Sequence, residues 1–394
     1  MKFLLIYVPN LRFNNDPYKK YNLYEFATRV TRKNKDNVSN LPLTISAQYG
    51  LVDQVSFFNK TVASKDMSGY YLLKNGEFAY NKSYSNDYPW GAIKRLDLYD
   101  MGCLSTLYIC FKTNDNIVNS NYLVHYFESS KWHKQVADIA GEGARNHGLL
   151  NIVVNDFFNT KHAVPTIENQ IKIARFLDLI EKRIQTQIKI INDLVLQKKC
   201  IISSLLKSVQ DNEKIMLKDI LFDYNIKTTI NNEYPVLSST ASGMYLQSEY
   251  FNKEASSDNT IGYKIIPRGY CTYRSMSDTG LFTFNMQELV EKGIVSPAYP
   301  VFSANDDYIN EFIILYLNNS SYIKKQILEL KSGGTRFALP FSTLCTLKIP
   351  KLDKEKQLSL IKTITAFERK IENEEMILKA LHQQKNFLLN NMFI

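Results

Sequence analysis

The feature that most limits what this chain can fold into is that it is written twice. In one long amphipathic stretch Glu168, Gln170, Glu181, Ile184, Leu194, Gln197 and Lys198 are matched by Glu355, Gln357, Glu368, Ile371, Leu381, Gln384 and Lys385, always 187 positions on. The segments before each stretch repeat too. Pro42, Gly50, Phe58-Asn59-Lys60, Gly69-Tyr70, Gly76 and Tyr80 return as Pro235, Gly243, Phe251-Asn252-Lys253, Gly262-Tyr263, Gly269 and Tyr273 at a separation of 193. Gly102, Ser105, Tyr108 and Phe111 return as Gly293, Ser296, Tyr299 and Phe302 at 191. Solenoid units run about 20–50 residues, so this period means a duplicated domain with a pseudo-two-fold internal repeat.

The stretches read as helices that pack on helices. In the first, Leu177, Ile184, Ile191 and Leu205 recur on one row, Ile180, Leu194 and Ile201 on the next, and Ile188, Val195 and Ile202 widen the stripe. The second repeats it with Ile364, Ile371, Leu378 and Met392 beside Leu360, Phe367, Leu381 and Leu388. Pro165, Thr166 and Glu168 supply a stop, a cap and an acidic first turn, as do Asp353 and Glu355 for the second. Some forty residues at about 1.5 Å each make a rod of roughly 60 Å, and neither rod is stable alone in water. Antiparallel pairing as a spacer is the arrangement compatible with a pseudo-symmetric placement of the two globular halves.

Those halves are rich in Tyr, Phe, Val, Ile and Thr with regular turn residues, which predicts mixed helix and strand. Tyr70 to Tyr80 reads as strand, Asn75-Gly76 turn, strand. Short helices are expected near Tyr122 to Ile139 and Glu311 to Leu330. The predicted organisation is α+β: a globular domain over 1–162, a spacer helix over 163–210, a second similar domain over 211–350 and a second spacer helix over 351–394, the helices forming an antiparallel coiled coil.

The formal charge of +9 favours an acidic partner such as nucleic acid. It is spread unevenly: +4 over 1–160, +5 over 161–208, −2 over 209–350 and +2 over 351–394. Any DNA contact in the second half must therefore come from a local patch. Cys103, Cys110, Cys200, Cys271 and Cys345 form no C-x-x-C pair and read as reduced, buried thiols of a cytoplasmic protein. Phe3 to Val8 is shorter than a signal-peptide core and reads as a strand. No apolar run approaches the roughly 18 residues of a membrane span, so a soluble chain without a membrane role is expected.

Catalytic signatures are scarce. The chain has no phosphate-loop, zinc-protease or nucleophile-elbow motif. Gly141 to Gly148 could cradle a phosphate, but a surface loop is the simpler account. Asp353-Lys354-Glu355-Lys356 has carboxylates and lysine as a metal-assisted nuclease would, but its counterpart Thr166-Ile167-Glu168-Asn169 could not do that work, and capping explains it. Asn86-Asp87-Tyr88-Pro89-Trp90 lacks the adjacent prolines of an amino-methyltransferase signature and reads as an aromatic loop. His125 and His133, in one expected helix, suit packing or solvent better than a metal. No catalytic residue, metal ligand or cofactor is predicted.

What remains is binding chemistry: phosphates need cations, small polar groups or amides, and base edges need Arg, Lys, Asn, Gln or Ser on rigid supports. Such residues stand at matching places, Asn81, Lys82, Ser83 and Tyr84 against Arg274, Ser275, Met276 and Ser277, then Arg145, Asn146 and His147 against Lys331, Thr335, Arg336 and Phe337. Lys60 and Lys253 of the repeated run, with Lys94 and Arg95, complete the candidate DNA-binding set. Ordinary polar loops are the alternative, but framework positions repeat while these loops differ, as expected if each half reads a different sequence.

The whole layout, with Val164-Pro165-Thr166-Ile167-Glu168-Asn169-Gln170-Ile171-Lys172-Ile173-Ala174 opening a helix that runs to Gln197-Lys198-Lys199 and Ile349 to Gln357 as a looser second copy, resembles the DNA-specificity subunits of type I restriction-modification systems. Ala163 and Leu352 stand where that family often has proline. The resemblance implies a non-catalytic subunit whose two target-recognition domains each read half of a split, asymmetric site in double-stranded DNA. It further implies that the helices set the unread spacer and dock two methyltransferase subunits. Those partners bind S-adenosylmethionine and methylate a flipped adenine at N6, and motor-nuclease subunits add restriction. A methylation-only or related defence complex is the nearer alternative. Two other classes stay open: a free-standing enzyme, and a coiled-coil scaffold without DNA specificity.

Overall fold

A computed structural model describes residues 18–46, 49–60, 63–84, 88–141, 148–250, 259–330 and 337–394. It divides into two compact units. One comprises the chain up to Ile188 together with Met376–Ile394, and the other is Lys189–Glu375. Each unit thus owns one globular half and a length of both long helices, Ile167–Ser208 and Lys354–Met392.

The first unit is built on a four-stranded antiparallel sheet ordered Ala27–Arg29, Ile109–Thr113, Phe78–Asn81, Ala92–Arg95. The second repeats it with Leu221–Asp223, Val301–Ala304, Cys271–Tyr273 and Phe284–Met286. Helices Ser120–Glu128 and His133–Ile139 follow the first sheet, and Asn310–Asn319 and Ser321–Glu329 the second. Phe78, Tyr80, Phe111, Tyr122 and Tyr126 fill one core, and Tyr273, Phe284, Phe302, Phe312 and Tyr316 the other. Each half closes on an antiparallel pair, Lys19–Asn22 with Lys161–Val164 and Lys214–Met216 with Lys348–Pro350, whose last strand leads into a long helix.

Where a tight hairpin is expected around Asn75-Gly76, the turn forms but its flanking strands do not pair. Glu77 N donates to Lys74 O at 3.0 Å, while Tyr71–Lys74 pairs with Met101–Leu104 and Phe78–Asn81 enters the four-stranded sheet. Segment 96–100 captures the turn instead. Asn75 N donates to Asp100 O and Gly76 N to Leu96 O, both at 2.8 Å, making a corner between two sheets rather than a hairpin tip. The frame also shifts one match: Cys103 bridges to Pro42, but its counterpart Ile294 bridges to Val236, not Pro235. The cause is a hairpin linker one residue shorter in the second copy, between Thr240 and Gly243 rather than Ser46 and Gly50. Gly102 and Gly293 are fixed by crowding, since an added Cβ would lie 2.5 Å from Leu43 Cδ1 and 2.4 Å from Leu237 Cδ1.

The helix seam follows the apolar stripes. Ile173, Ala174 and Leu177 share the first core with Leu388, Leu389 and Met392, while Ile202 and Leu206 share the second with Leu360 and Ile364. Rising positions on one helix meet falling positions on the other, so the two run antiparallel within each unit. Ile184, Leu194 and Leu381 are each buried, and Ile180, Ile188, Ile191, Ile201, Phe367, Ile371 and Leu378 are half-buried. Glu181 Oε2 pairs with Lys385 Nζ at 2.7 Å in one unit, Glu368 Oε1 with Lys198 Nζ at 2.6 Å in the other. The repeat converts one pair into the other. The Asp353 carboxylate accepts from Lys356 N at 2.8 Å, the capping role expected of it.

Two expectations fail in detail. Cys103, Cys110 and Cys271 are buried and all five thiols are free, but Cys200 is exposed on the outer face of its helix. His125 and His133 belong to separate helices, broken between Ser129 and Trp132, because Ser129 turns back to bond Tyr126 O at 2.6 Å. The predicted strand at Phe3 to Val8, the glycine-rich loop across 142–147 and Asn86-Asp87 lie outside the described residues. No helix among the described residues is long and apolar enough to cross a membrane.

Candidate nucleic-acid interface

In each unit the first candidate loop lies beside the described residues at the end of the second, 82–84 against 148–150 and 275–277 against 337–339. In the first, Leu150 N donates to Lys82 O at 2.9 Å, Ser83 bridges to Leu149 and Tyr84 N donates to Gly148 O at 3.1 Å. In the second, Met276–Ser277 pairs with Phe337–Ala338 and Leu339 N donates to Ser275 O at 2.8 Å. A short antiparallel ladder thus grows from the same edge of both frames.

Within it the side chains divide into builders and presenters. Asn81 Oδ1 accepts from Ser83 N at 3.0 Å and turns the chain out of the sheet. Ser275 Oγ donates to Ala298 O at 3.0 Å, and Ser277 Oγ accepts from Gly280 N at 3.0 Å. Gly280 has φ of 79°, and a Cβ there would meet the Phe337 ring at 2.9 Å, so this ring closes over a position only glycine fills. Ser83, Tyr84, Arg274 and Met276 are exposed, and Lys82 is half-buried. Arg274 has no ion-pair partner among the described residues, which leaves its guanidinium for an outside acceptor.

In the second unit these residues border a cavity of about 450 Å³. Arg274, Met276 and Ser277 line it with Ser238, Ser239, Thr240, Thr279, Thr283 and Tyr299. Hydroxyls can donate and accept, so such a wall can match base edges, sugars or phosphates. Sequence reasoning missed Ser238, Thr240, Thr283 and Tyr299 because they come from separate strands and loops. The one local signal was the hydroxyl run at 238–240. In the first unit the matching Thr44 Oγ1 and Tyr108 Oη approach to 3.5 Å.

Other candidates lie elsewhere. Lys94 pairs with Glu128, and Arg95 holds Asp97 at 2.6 Å, Asn121 at 2.7 Å and Ser120 at 2.8 Å. With side chains only 11% and 17% exposed, both brace the sheet edge against the following helix rather than face outward. Lys60 is exposed beyond the short helix Gln54–Phe58, which follows the Gly50–Asp53 strand. Arg145, Asn146, His147, Lys253, Lys331, Thr335 and Arg336 lie outside the described residues.

Buried titratable groups are structural. Thr160 Oγ1 donates to Phe157 O at 2.6 Å, so it accepts from His162 Nε2 at 2.8 Å, and His162 Nδ1 accepts from the Tyr126 hydroxyl at 2.9 Å. Burial drives this histidine down to about 4, and the ring stays neutral. His125 Nε2 bonds Asp178 Oδ1 at 2.7 Å, tying the domain to the first long helix. Burial lowers its pKa against the opposing pull of Asp178. No cluster of His, Cys, Asp or Glu among the described residues could hold a metal ion.

No protein-family model matches the chain. Solved structures do. The HsdS subunit from Thermoanaerobacter tengcongensis aligns over 96% of both chains with a TM-score of 0.52 and 15% identity. The chain has the HsdS fold. A chain from a structure concerned with complex assembly and conformational transition of the type I restriction-modification system aligns over 95% of this chain and 96% of its own, with a TM-score of 0.60 and 14% identity. The HsdS fold accounts for two mixed domains with long helices, and at this identity the likeness concerns architecture.

Proposed function

We propose that the chain is the DNA-specificity subunit of a type I restriction-modification complex, each unit reading one half of a split, asymmetric site. The observation that carries this reading is the two-stranded ladder, repeated on both frames with different residues, Lys82-Ser83-Tyr84 in one and Ser275-Met276-Ser277 in the other. A shared frame positions, and differing side chains select. The HsdS fold supports the same reading.

In this account the chain is non-catalytic. Arg274 and the hydroxyl wall contact the second half-site, compensating for the net negative charge of residues 209–350. Lys82, Ser83 and Tyr84 serve the first. Two methyltransferase subunits dock on the long helices, S-adenosylmethionine is bound by those partners, and adenine N6 is methylated there; motor-nuclease subunits extend the complex to restriction. Two like docking surfaces are supported by exposed apolar positions that recur with the repeat, Ile171 with Leu358 and Ile190 with Ile377.

The test is adenine-methylation mapping of DNA from cells expressing the chain with its methyltransferase, against the methyltransferase alone. A split motif that depends on the chain is the expected result. Assembly of the complex without any new motif would favour a scaffold.

A further inference from the structure

A bipartite reader must do more than recognise two sequences; it must refuse the right sequences at the wrong separation. One extra base pair advances a half-site by about 3.4 Å and turns it by about 35°. Each recognition domain must therefore be held on its helix to well within that angle. Apolar contact between domain and helix is non-directional and resists such a rotation weakly. Directed hydrogen bonds resist it.

In each unit the same glutamine of the repeat makes a buried set of such bonds at the joint, beside His125 to Asp178 in the first and Lys354 to Asp306 O in the second. Gln170, 1% exposed, accepts from Asn119 N at 2.7 Å and donates to Ile117 O at 3.2 Å and Pro165 O at 2.9 Å. Gln357, 0% exposed, accepts from Ile309 N at 2.9 Å and donates to Asp307 O and Leu352 O, both at 3.0 Å. Asn119 and Ile309 are the N-cap residues of Ser120–Glu128 and Asn310–Asn319, the helices behind each four-stranded sheet. A single side chain on the first turn of each long helix thereby fixes both the domain's helix start and the strand-to-helix junction. All six partners are backbone atoms. The recognition loops can change sequence without disturbing this latch.

We propose that Gln170 and Gln357 are positioning residues that set spacer-length discrimination, by locking the angle of each recognition domain on its long helix. The proposal rests on the specificity-subunit reading above. It assigns them no contact with DNA.

The experiment uses the assembled complex with the methyltransferase partner and a DNA library carrying both half-sites at the native spacing and one base pair longer or shorter. Gln170→Met and Gln357→Met keep side-chain length and remove the hydrogen bonds. Leu360→Ala weakens the second unit's joint by loss of apolar packing alone, and serves as the stability control for Gln357→Met. The expected result is unchanged half-site sequences with about tenfold loss of preference for the native spacing in each glutamine variant, the size of losing about one net hydrogen bond. Leu360→Ala should lower the melting temperature and keep the spacing sharp. An unchanged spacing profile in both glutamine variants, or equal broadening in Leu360→Ala, would overturn the proposal. Wild-type methylation without any split site would instead remove the specificity reading beneath it.

Discussion

The two units share a backbone plan but not an interior. In the first, polar pairs surround the joint between domain and helices: Lys94 with Glu128 inside the domain, His125 hydrogen-bonded to Asp178 of the long helix, and Lys385 with Glu181 between the helices. At matching positions the second has Asn285, Asn318, Leu315 and Thr365, keeping only Glu368 with Lys198. Asn318 there clasps Phe284 through both backbone groups at 2.9 and 2.8 Å, and a cavity of about 590 Å³ is lined by Asn285, Leu315, Asn318 and Thr365. His162, held by Tyr126 and Thr160, gives way to Ile349. The common sheet, glutamine latch and seam need backbone bonds and apolar volume. The polar interior is free to diverge once every buried group finds a partner.

The largest effects should be shared by both units. Phe111→Ala and Phe302→Ala empty equivalent core positions and should each cost about 3–5 kcal/mol. Both tryptophans, Trp90 and Trp132, lie in the first unit, so fluorescence follows that unit alone. Phe111→Ala should move the fluorescence-detected unfolding, whereas Phe302→Ala should leave it in place and lower hydrogen-exchange protection in the second unit. An equal fluorescence shift from both would mean that the units unfold as one.

The next effect should separate them. Because His162 falls to about 4 in the folded chain from 6.5 unfolded, the unfolded state binds more protons between those values. The first unit therefore loses stability as pH falls from 6.5 toward 4, by up to roughly 3 kcal/mol, and is insensitive to this group above that window. His125 acts in the same direction. His162→Ile, the second unit's solution, should flatten the pH profile of fluorescence-detected unfolding; an unchanged slope would discard the assignment.

A smaller, matched pair comes from crowding. Gly102→Ala and Gly293→Ala each press a methyl into a leucine, at a cost of about 1–3 kcal/mol by denaturant titration. Gly293 should be the less tolerant, since Pro235 O also lies 3.3 Å from the new carbon. Smallest are the seam ion pairs. Glu181→Ala and Glu368→Ala should cost less than about 1 kcal/mol each, and by similar amounts. The reversed pair Glu181→Lys with Lys385→Glu should recover what either reversal alone loses, as a double-mutant cycle would show.

The duplication and the helices were legible because a two-fold repeat and a seven-residue apolar period need no tertiary information. The same list of repeated residues held Gln170, Glu181 and Lys198, yet their roles emerged only when partners from distant segments came into view. The corner at Asn75-Gly76 shows why: a turn signal fixes the local bend, while strand pairing depends on which edge arrives, here 101–104. Lys94 and Arg95 look like phosphate ligands until Glu128 and Asp97 are brought against them. The loops at 81–84 and 274–277 were visible as stretches that differ between copies, while the ladders that set them beside 148–150 and 337–339 were not. The hydroxyl wall was not, because Ser238, Thr283 and Tyr299 have no shared local pattern.

The central claim, one unit per half-site, is tested most directly by replacing residues 1–160 with the corresponding domain of an HsdS subunit and mapping adenine methylation by the assembled complex. The account predicts that one half of the split motif changes while the other half is retained. Retention of both halves, or loss of both in a complex that still assembles and methylates, would contradict it.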